Sequence, residues 1–89
     1  MSAVRDNPAA GRFELDADGA TAFAEYRRQG GAIIFTHTEV PDALAGQGIG
    51  SRLVQGALDL VRKEGARVVP ACSFVRHYIA SHPEYRDLL

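Results

Sequence analysis

The chain has 89 residues, 46% of them hydrophobic and 24% charged, which is the composition of one small folded domain. A net charge of −1 lacks the basic character of a nucleic-acid-binding protein, and a single cysteine, Cys72, excludes an internal disulfide framework and a cysteine-cluster zinc site, so we expect no metal. No apolar run approaches the ~20 residues of a membrane span and no signal peptide precedes the domain, so we expect a soluble, cytoplasmic protein that binds no membrane.

The first half of the chain predicts β structure. Residues 1–11 have no apolar pattern and contain the breaker Asn7-Pro8, so we expect a flexible N-terminus before a single domain over residues 12–89. Alternating runs then predict three strands, at residues 12–15, 20–29 and 32–40. The turn residues at 16–19 and Gly30-Gly31 connect these strands as hairpins.

The second half predicts two helices separated by a short strand. From Gly48 to Glu64, apolar residues that include Leu53 and Leu60 recur along one helical face, and Gly65 ends this helix. Residues 66–70 predict a strand and residues 73–81 a shorter helix, whereas residues 82–89 are ambiguous. The order β-β-β-α-β-α predicts an α+β fold with a mixed, mainly antiparallel sheet, because the helical crossover places the last strand parallel to the third and beside it.

The most informative motif lies between the third strand and the long helix. Its sequence is Ala45-Gly46-Gln47-Gly48-Ile49-Gly50-Ser51. Glycines at alternate positions leave backbone N–H groups accessible, and the helix N-terminus adds free amides and the positive end of a dipole. The motif therefore predicts a binding site for a diphosphate-bearing ligand outside the carboxyl end of the third strand.

Other phosphate-binding loops fit this motif less well. A P-loop has Lys and then Ser or Thr after its last glycine, whereas Gly50 is followed by Ser51-Arg52. A dinucleotide fingerprint needs its third glycine where Ser51 stands. Glycines in this pattern also form plain turns, so a purely structural loop stays open as an alternative.

Residues 45–50 resemble the (Q/R)-x-x-G-x-(G/A) loop of the GCN5-related N-acetyltransferases, with matches at Gly48 and Gly50 and a departure at Ala45. Residues 37–41, 69–75 and 82–85 are similar to the minimal, stand-alone YjdJ-type branch of that superfamily. The resemblance implies a truncated form of its fold, with the loop-bearing strand splayed from its parallel neighbour. It also implies acetyl-CoA or coenzyme A as the ligand and transfer of an acetyl group to an amine.

The resemblance also implies where the cofactor binds. The backbone of Glu39 and Val40 would lie beside the pantetheine arm, and the diphosphate would contact the main-chain amides of the loop. The residues expected to form this site are Val40, Ala45, Gly46, Gln47, Gly48, Ile49, Gly50 and Ser51. The missing Gln or Arg at Ala45 removes one polar side chain from the site, while the backbone amides remain.

Three side chains are candidates for catalysis. His37 on the third strand and Cys72 just after the fourth are expected to face the gap, either as a Cys–His acyl-enzyme pair or with His37 as the base for direct attack. Glu39 shares a strand face with His37 and is a second candidate base. The structural alternatives are a packed core cysteine, a satisfied polar histidine and a solvated carboxylate.

The short chain leaves the acceptor undefined. Larger relatives use additional helices and strands to build the pocket for the amine, which is here an unidentified protein or small molecule. The site is therefore open or completed by another molecule, and the protein is a monomer or a homodimer. The alternative to an enzyme is a non-catalytic module that binds acyl-CoA as a sensor or interaction partner.

Overall fold

The computed structural model describes residues 3–89, which form one sheet packed against two helices. The strands are β1 (Arg5–Asn7), β2 (Arg12–Ala17), β3 (Ala20–Gln29), β4 (Ala32–Glu39) and β5 (Arg67–Pro70). The helices are α1 (Ile49–Glu64) and α2 (Ser73–Ser81), and the 3₁₀ segments are Asp42–Leu44 and Pro83–Leu88.

The strands lie in the spatial order β1-β2-β3-β4-β5. Neighbours from β1 to β4 are antiparallel, and β5 is parallel to β4. The β2–β3 connection is a two-residue turn in which Asp18 and Gly19 have φ of +50° and +79°, so Asp16 and Ala17 belong to β2 and not to the predicted turn. The α+β class and the parallel pair at the end of a mainly antiparallel sheet are confirmed.

The N-terminal segment differs from its sequence-based prediction. The sequence predicted no element before Arg12, whereas residues 5–7 form an edge strand, β1, paired with β2. The Arg5 guanidinium bonds the carboxylates of Glu14 and Asp16, at 2.7 Å and 2.6 Å. These partners lie far along the chain, so local pattern could not reveal the strand. Met1 and Ser2, also part of the predicted flexible N-terminus, lie outside the described residues.

The hydrophobic core lies between one face of the sheet and the helices. Alternate residues of β2, β3 and β4 contribute their apolar side chains to it, as the period-two pattern predicts. Helix α1 covers this face with one apolar stripe, which confirms the predicted amphipathic helix. The buried stripe consists of Ile49, Gly50, Leu53, Val54, Ala57, Leu58 and Val61. The other face of the sheet carries mostly polar and charged side chains.

Two details of the helical layer differ from the sequence-based prediction. Leu60 was assigned to the buried stripe, but it lies at the margin of the core and is only partly buried. Most of the ambiguous C-terminal residues form the 3₁₀ segment Pro83–Leu88, which is attached to α1 by the Tyr85 hydroxyl donating to Asp59 at 2.7 Å. Among the described residues, neither helix is long and apolar enough to cross a bilayer.

Candidate functional site

Strands β4 and β5 separate halfway along β4. Their pairing runs from Ala32 opposite Arg67 to Phe35 opposite Pro70. One further hydrogen bond, from the Cys72 N–H to the Phe35 carbonyl at 2.8 Å, closes the paired part. Beyond it β4 continues to Glu39 with no β5 residue beside it. Residues 36–39 therefore have strand geometry with one edge on which no strand pairs, which is the splayed pair that the resemblance implied.

A β-bulge lies at the point of separation. Tyr26 is opposite Phe35 and Glu25 is opposite His37, so Thr36 is an additional residue on β4. The Thr36 hydroxyl donates to the Glu25 carbonyl at 3.3 Å. One extra residue reverses the alternation of side chains along a strand. Thr38, rather than His37, consequently lies on the same face of the sheet as Phe35 and the helices.

Cys72 lies across the separation from β4, at the N-cap of α2. Its Sγ is 3.4 Å from the Thr38 hydroxyl, and the residue is 9% exposed. Burial opposes ionisation of the thiol, but hydrogen bonds from the Thr38 side chain and from the backbone amides of Val75, Phe74 and Thr38 outweigh it. The pKa of the Cys72 thiol is therefore lower than its ordinary value, because a helix N-terminus stabilises a thiolate.

His37 and Glu39 lie on the opposite, open face of the sheet. Their side chains are 54% and 58% exposed, and the His37 Nε2 is 3.2 Å from a Glu39 carboxylate oxygen. The predicted sharing of one face by these two residues is thus present. The structure does not pair His37 with Cys72, however, because the bulge at Thr36 turns the two side chains toward different faces.

The glycine-containing loop follows β4 and leads into α1. Gly46 and Gly48 have φ of +77° and +71°, a region that side-chain-bearing residues rarely adopt. Gly48 is the N-cap of α1 and provides no capping side chain, and the first intrahelical bond joins the Arg52 N–H to the Gly48 carbonyl. The N–H groups of residues 49–51 therefore have no acceptor within the helix.

These amides border a concavity of about 320 Å³. Its lining includes every predicted cofactor-binding residue except Gln47, whose side-chain amide donates to the Ala43 carbonyl at 3.5 Å. The first turn of α1 contains no acidic side chain that would repel an anion. The lining consists of Val40, Leu44, Ala45, Gly46, Gly48, Ile49, Gly50, Ser51 and Phe74.

Gly50 has a role that the sequence did not reveal. A Cβ atom at this position would lie 2.7 Å from Cζ of Phe74, so the glycine permits the aromatic ring to pack on the first turn of α1. Phe74 is nevertheless 41% exposed. Sequence reasoning assigned Gly50 only to ligand access, because the contact with Phe74 spans the whole of α1 and β5.

A second concavity, of about 540 Å³, lies between the start of α1 and the exposed side of α2. It shares Ser51 and Phe74 with the loop concavity. Its other lining residues are Ser73, His77, Tyr78, Ser81 and His82. No pattern in the sequence indicates this hollow, because most of its lining residues lie on the polar side of a short helix. No cluster of three or more potential metal ligands occurs among the residues described here.

The fold and this loop define the class of protein. A family model described as GCN5-related N-acetyl-transferase matches residues 12–88. The chain therefore belongs to the GCN5-related N-acetyltransferase family, and this membership supports N-acetyltransferase activity in general terms. A GCN5-like protein from Staphylococcus aureus, solved by NMR, matches 96% of this chain and 84% of its own, with a TM-score of 0.72 and 27% identity.

Curated relatives match a shorter stretch. Protein NATD1 of Homo sapiens and that of Mus musculus are each 40% identical to this chain over 47 residues. The matched stretch is 53% of this chain and 42% of the human or 43% of the mouse relative. The similarity therefore covers less than half the length of these relatives.

Proposed function

We propose that this protein transfers an acetyl group from acetyl-CoA to an amine. The observation that carries the proposal is the separation of β4 from β5 beside the glycine loop. The Thr38 N–H on this edge bonds the Cys72 sulfur, and the other backbone groups of residues 36–39, which no β5 residue pairs, can bond an extended thioester arm. Val40, which follows directly, lines the loop concavity, so one ligand can contact both surfaces.

The loop suits the diphosphate of that ligand. Free amides of residues 49–51, the positive end of the α1 dipole and the absence of an acid from the first turn all favour an anion. No side-chain cap at Gly48 competes for these donors. Because Ala45 provides no polar side chain, the diphosphate would be bound chiefly by main-chain amides, with the Ser51 hydroxyl beside them.

The chemistry requires a base within reach of the attacking amine. The attacking amine must lose its proton so that its nitrogen can form a bond to the thioester carbonyl carbon while the carbon–sulfur bond breaks. His37 is suited to accept that proton, and Glu39, 3.2 Å away, stabilises the imidazolium that forms. The leaving thiolate then takes a proton from solvent.

Direct attack fits the geometry better than an acyl-enzyme. A Cys–His route needs the histidine within hydrogen-bonding reach of the thiol. Cys72 instead bonds Thr38, and His37 lies on the other face. We therefore assign the base to His37, and we assign Cys72 to the wall of the thioester channel.

Acetyl-CoA turnover tests the proposed function. The purified protein is incubated with acetyl-CoA and a panel of small amines and lysine peptides, and free thiol and product mass are measured. Amine-dependent thiol release, without stable acetylation of the protein at Cys72, supports direct transfer. Acetylation that disappears in Cys72→Ala would support the covalent route. Binding of acetyl-CoA with no turnover on any amine would instead support the non-catalytic acyl-CoA-binding module.

A further inference from the structure

The gap between β4 and the start of α2 narrows to a closed end that Cys72 occupies. The Cys72 N–H bonds the carbonyl of Phe35, the last β4 residue with a partner on β5. The Cys72 Sγ lies 3.4 Å from the Thr38 hydroxyl and also accepts a hydrogen bond from the Thr38 N–H. This one residue therefore fills the narrow end of the gap, between Phe35 and Thr38.

The Cys72 side chain is held in place and backed by the core. The backbone amides of Phe74 and Val75, in the first turn of α2, bond its sulfur from the side opposite Thr38. Cys72 is only 9% exposed, and Phe35 and Val75 are fully buried. Close-packed interiors do not admit an added methylene without strain. A group that reaches the narrow end of the gap therefore meets a fixed wall, formed by the Cys72 sulfur and the Thr38 hydroxyl.

The geometry of a thioester directs its acyl group toward this wall. The carbonyl carbon is planar, and an amine attacks it along the perpendicular to that plane. His37 lies on the open face of the sheet, so an amine that gives its proton to His37 approaches from that face. The acyl chain then lies in the plane of the gap and continues from the thioester sulfur toward Cys72.

We propose that Cys72 determines acyl-chain length, so that the gap admits an acetyl group and excludes longer acyl groups. The inference rests on the proposed function, since it assumes that a thioester arm lies in the gap. It gives Cys72 a role that needs no covalent chemistry, because the acetyl methyl group only packs against the sulfur. In a closed apolar pocket, one additional methylene changes discrimination about tenfold or more.

Calorimetry with acetyl-CoA and butyryl-CoA, in the absence of an amine, measures this selectivity. The wild-type protein should bind butyryl-CoA at least about tenfold more weakly than acetyl-CoA. Cys72→Ala removes the sulfur from the wall and should reduce the ratio of the two dissociation constants to about threefold. Val69→Ala is the matched control, because it truncates an exposed β5 side chain opposite Ile34, away from the gap, and should leave the ratio unchanged.

Cys72→Val provides a second variant, because it adds bulk to the wall. It should weaken the binding of acetyl-CoA more than that of CoA, which has no acyl group to accommodate. Equal affinities of the wild-type protein for acetyl-CoA and butyryl-CoA, or a ratio that Cys72→Ala does not change, would overturn the inference and leave the proposed function standing. If the wild-type protein binds neither CoA nor acetyl-CoA, the proposed function itself fails.

Discussion

The hydroxyl of Thr38 lies 3.4 Å from the sulfur of Cys72, across the point where β4 and β5 separate. This contact joins β4 to the N-cap of α2, just beyond the point where β4 and β5 pair. It places a thiol of lowered pKa beside the edge of β4 on which no strand pairs, and it depends on the extra residue at Thr36. The bulge thus determines which β4 side chain meets Cys72 and which faces open solvent.

Thr38→Val should raise the pKa of the Cys72 thiol. The substitution removes a hydroxyl that donates to the thiolate and keeps a side chain of the same shape, so a smaller fraction of the thiol is ionised at neutral pH. The rate of iodoacetamide modification against pH measures the change. Thr36→Val is the control, because that hydroxyl bonds the Glu25 carbonyl and does not reach the sulfur. Identical pH profiles for wild type and Thr38→Val would refute this effect.

His37→Gln should lower kcat about 100-fold while the affinity for acetyl-CoA stays unchanged. Glutamine keeps the polarity and bulk of the side chain but cannot take up the amine proton. Glu25→Gln removes the cross-strand neighbour of His37 and should leave kcat within about twofold. Steady-state thiol release gives kcat, and calorimetry gives the affinity. If His37→Gln keeps the wild-type kcat, a group other than His37 must be the base.

Leu53→Ala should lower the free energy of unfolding by about 2–5 kcal/mol, because Leu53 is fully buried and its truncation leaves a cavity. Leu60→Ala should cost only about 1 kcal/mol, since this side chain lies at the margin of the core. Urea denaturation gives the free energy of unfolding of both variants, and so compares the same substitution at a fully buried and at a partly buried position. Equal losses would mean that the buried face of α1 is assigned wrongly.

Acid should weaken the attachment of β1 through Glu14. A hydrogen bond from Arg12 lowers the pKa of this carboxyl below its ordinary value of 4.5; burial opposes the shift, and bonds from Asn7 and Arg5 add to it. The stabilisation is complete above the ordinary pKa and is lost as pH falls through the lower, folded-state value. Urea denaturation at pH 7 and pH 3 should show a smaller acid loss in Glu14→Gln than in wild type. If Glu14→Gln loses as much stability in acid as the wild type does, other carboxylates cause the loss.

Predictions from the sequence are confirmed for features that depend on the residues of a single strand, helix or loop. The alternation in β3 and in the first half of β4 and the apolar stripe of α1 were predicted from local pattern, and α2 was predicted with its observed bounds. The amide-lined loop was found from its glycines alone. These features depend on residues that are close together in the sequence.

The features that were missed depend on contacts between distant residues. Strand β1 has only three residues, and it is fixed by charged partners on β2. No residue pattern in the sequence indicates the bulge at Thr36. The bulge nevertheless directs the side chain of His37 away from the face of the sheet on which Cys72 lies. The role of Gly50 required knowledge of where Phe74 lies. Binding of the cofactor, the acceptor amine, the oligomeric state and the cytoplasmic location stay predictions.

An NMR titration of the labelled protein with acetyl-CoA tests the central claim most directly. We expect the largest amide shifts at residues 46–51 and 36–39, where free N–H groups and the strand edge without a partner strand meet. In Gly48→Val these shifts should vanish while the remaining spectrum stays that of a folded protein, because a side chain at φ +71° distorts the loop. Unchanged amide positions at saturating acetyl-CoA, or shifts confined to other segments, would contradict the claim that this loop binds the cofactor.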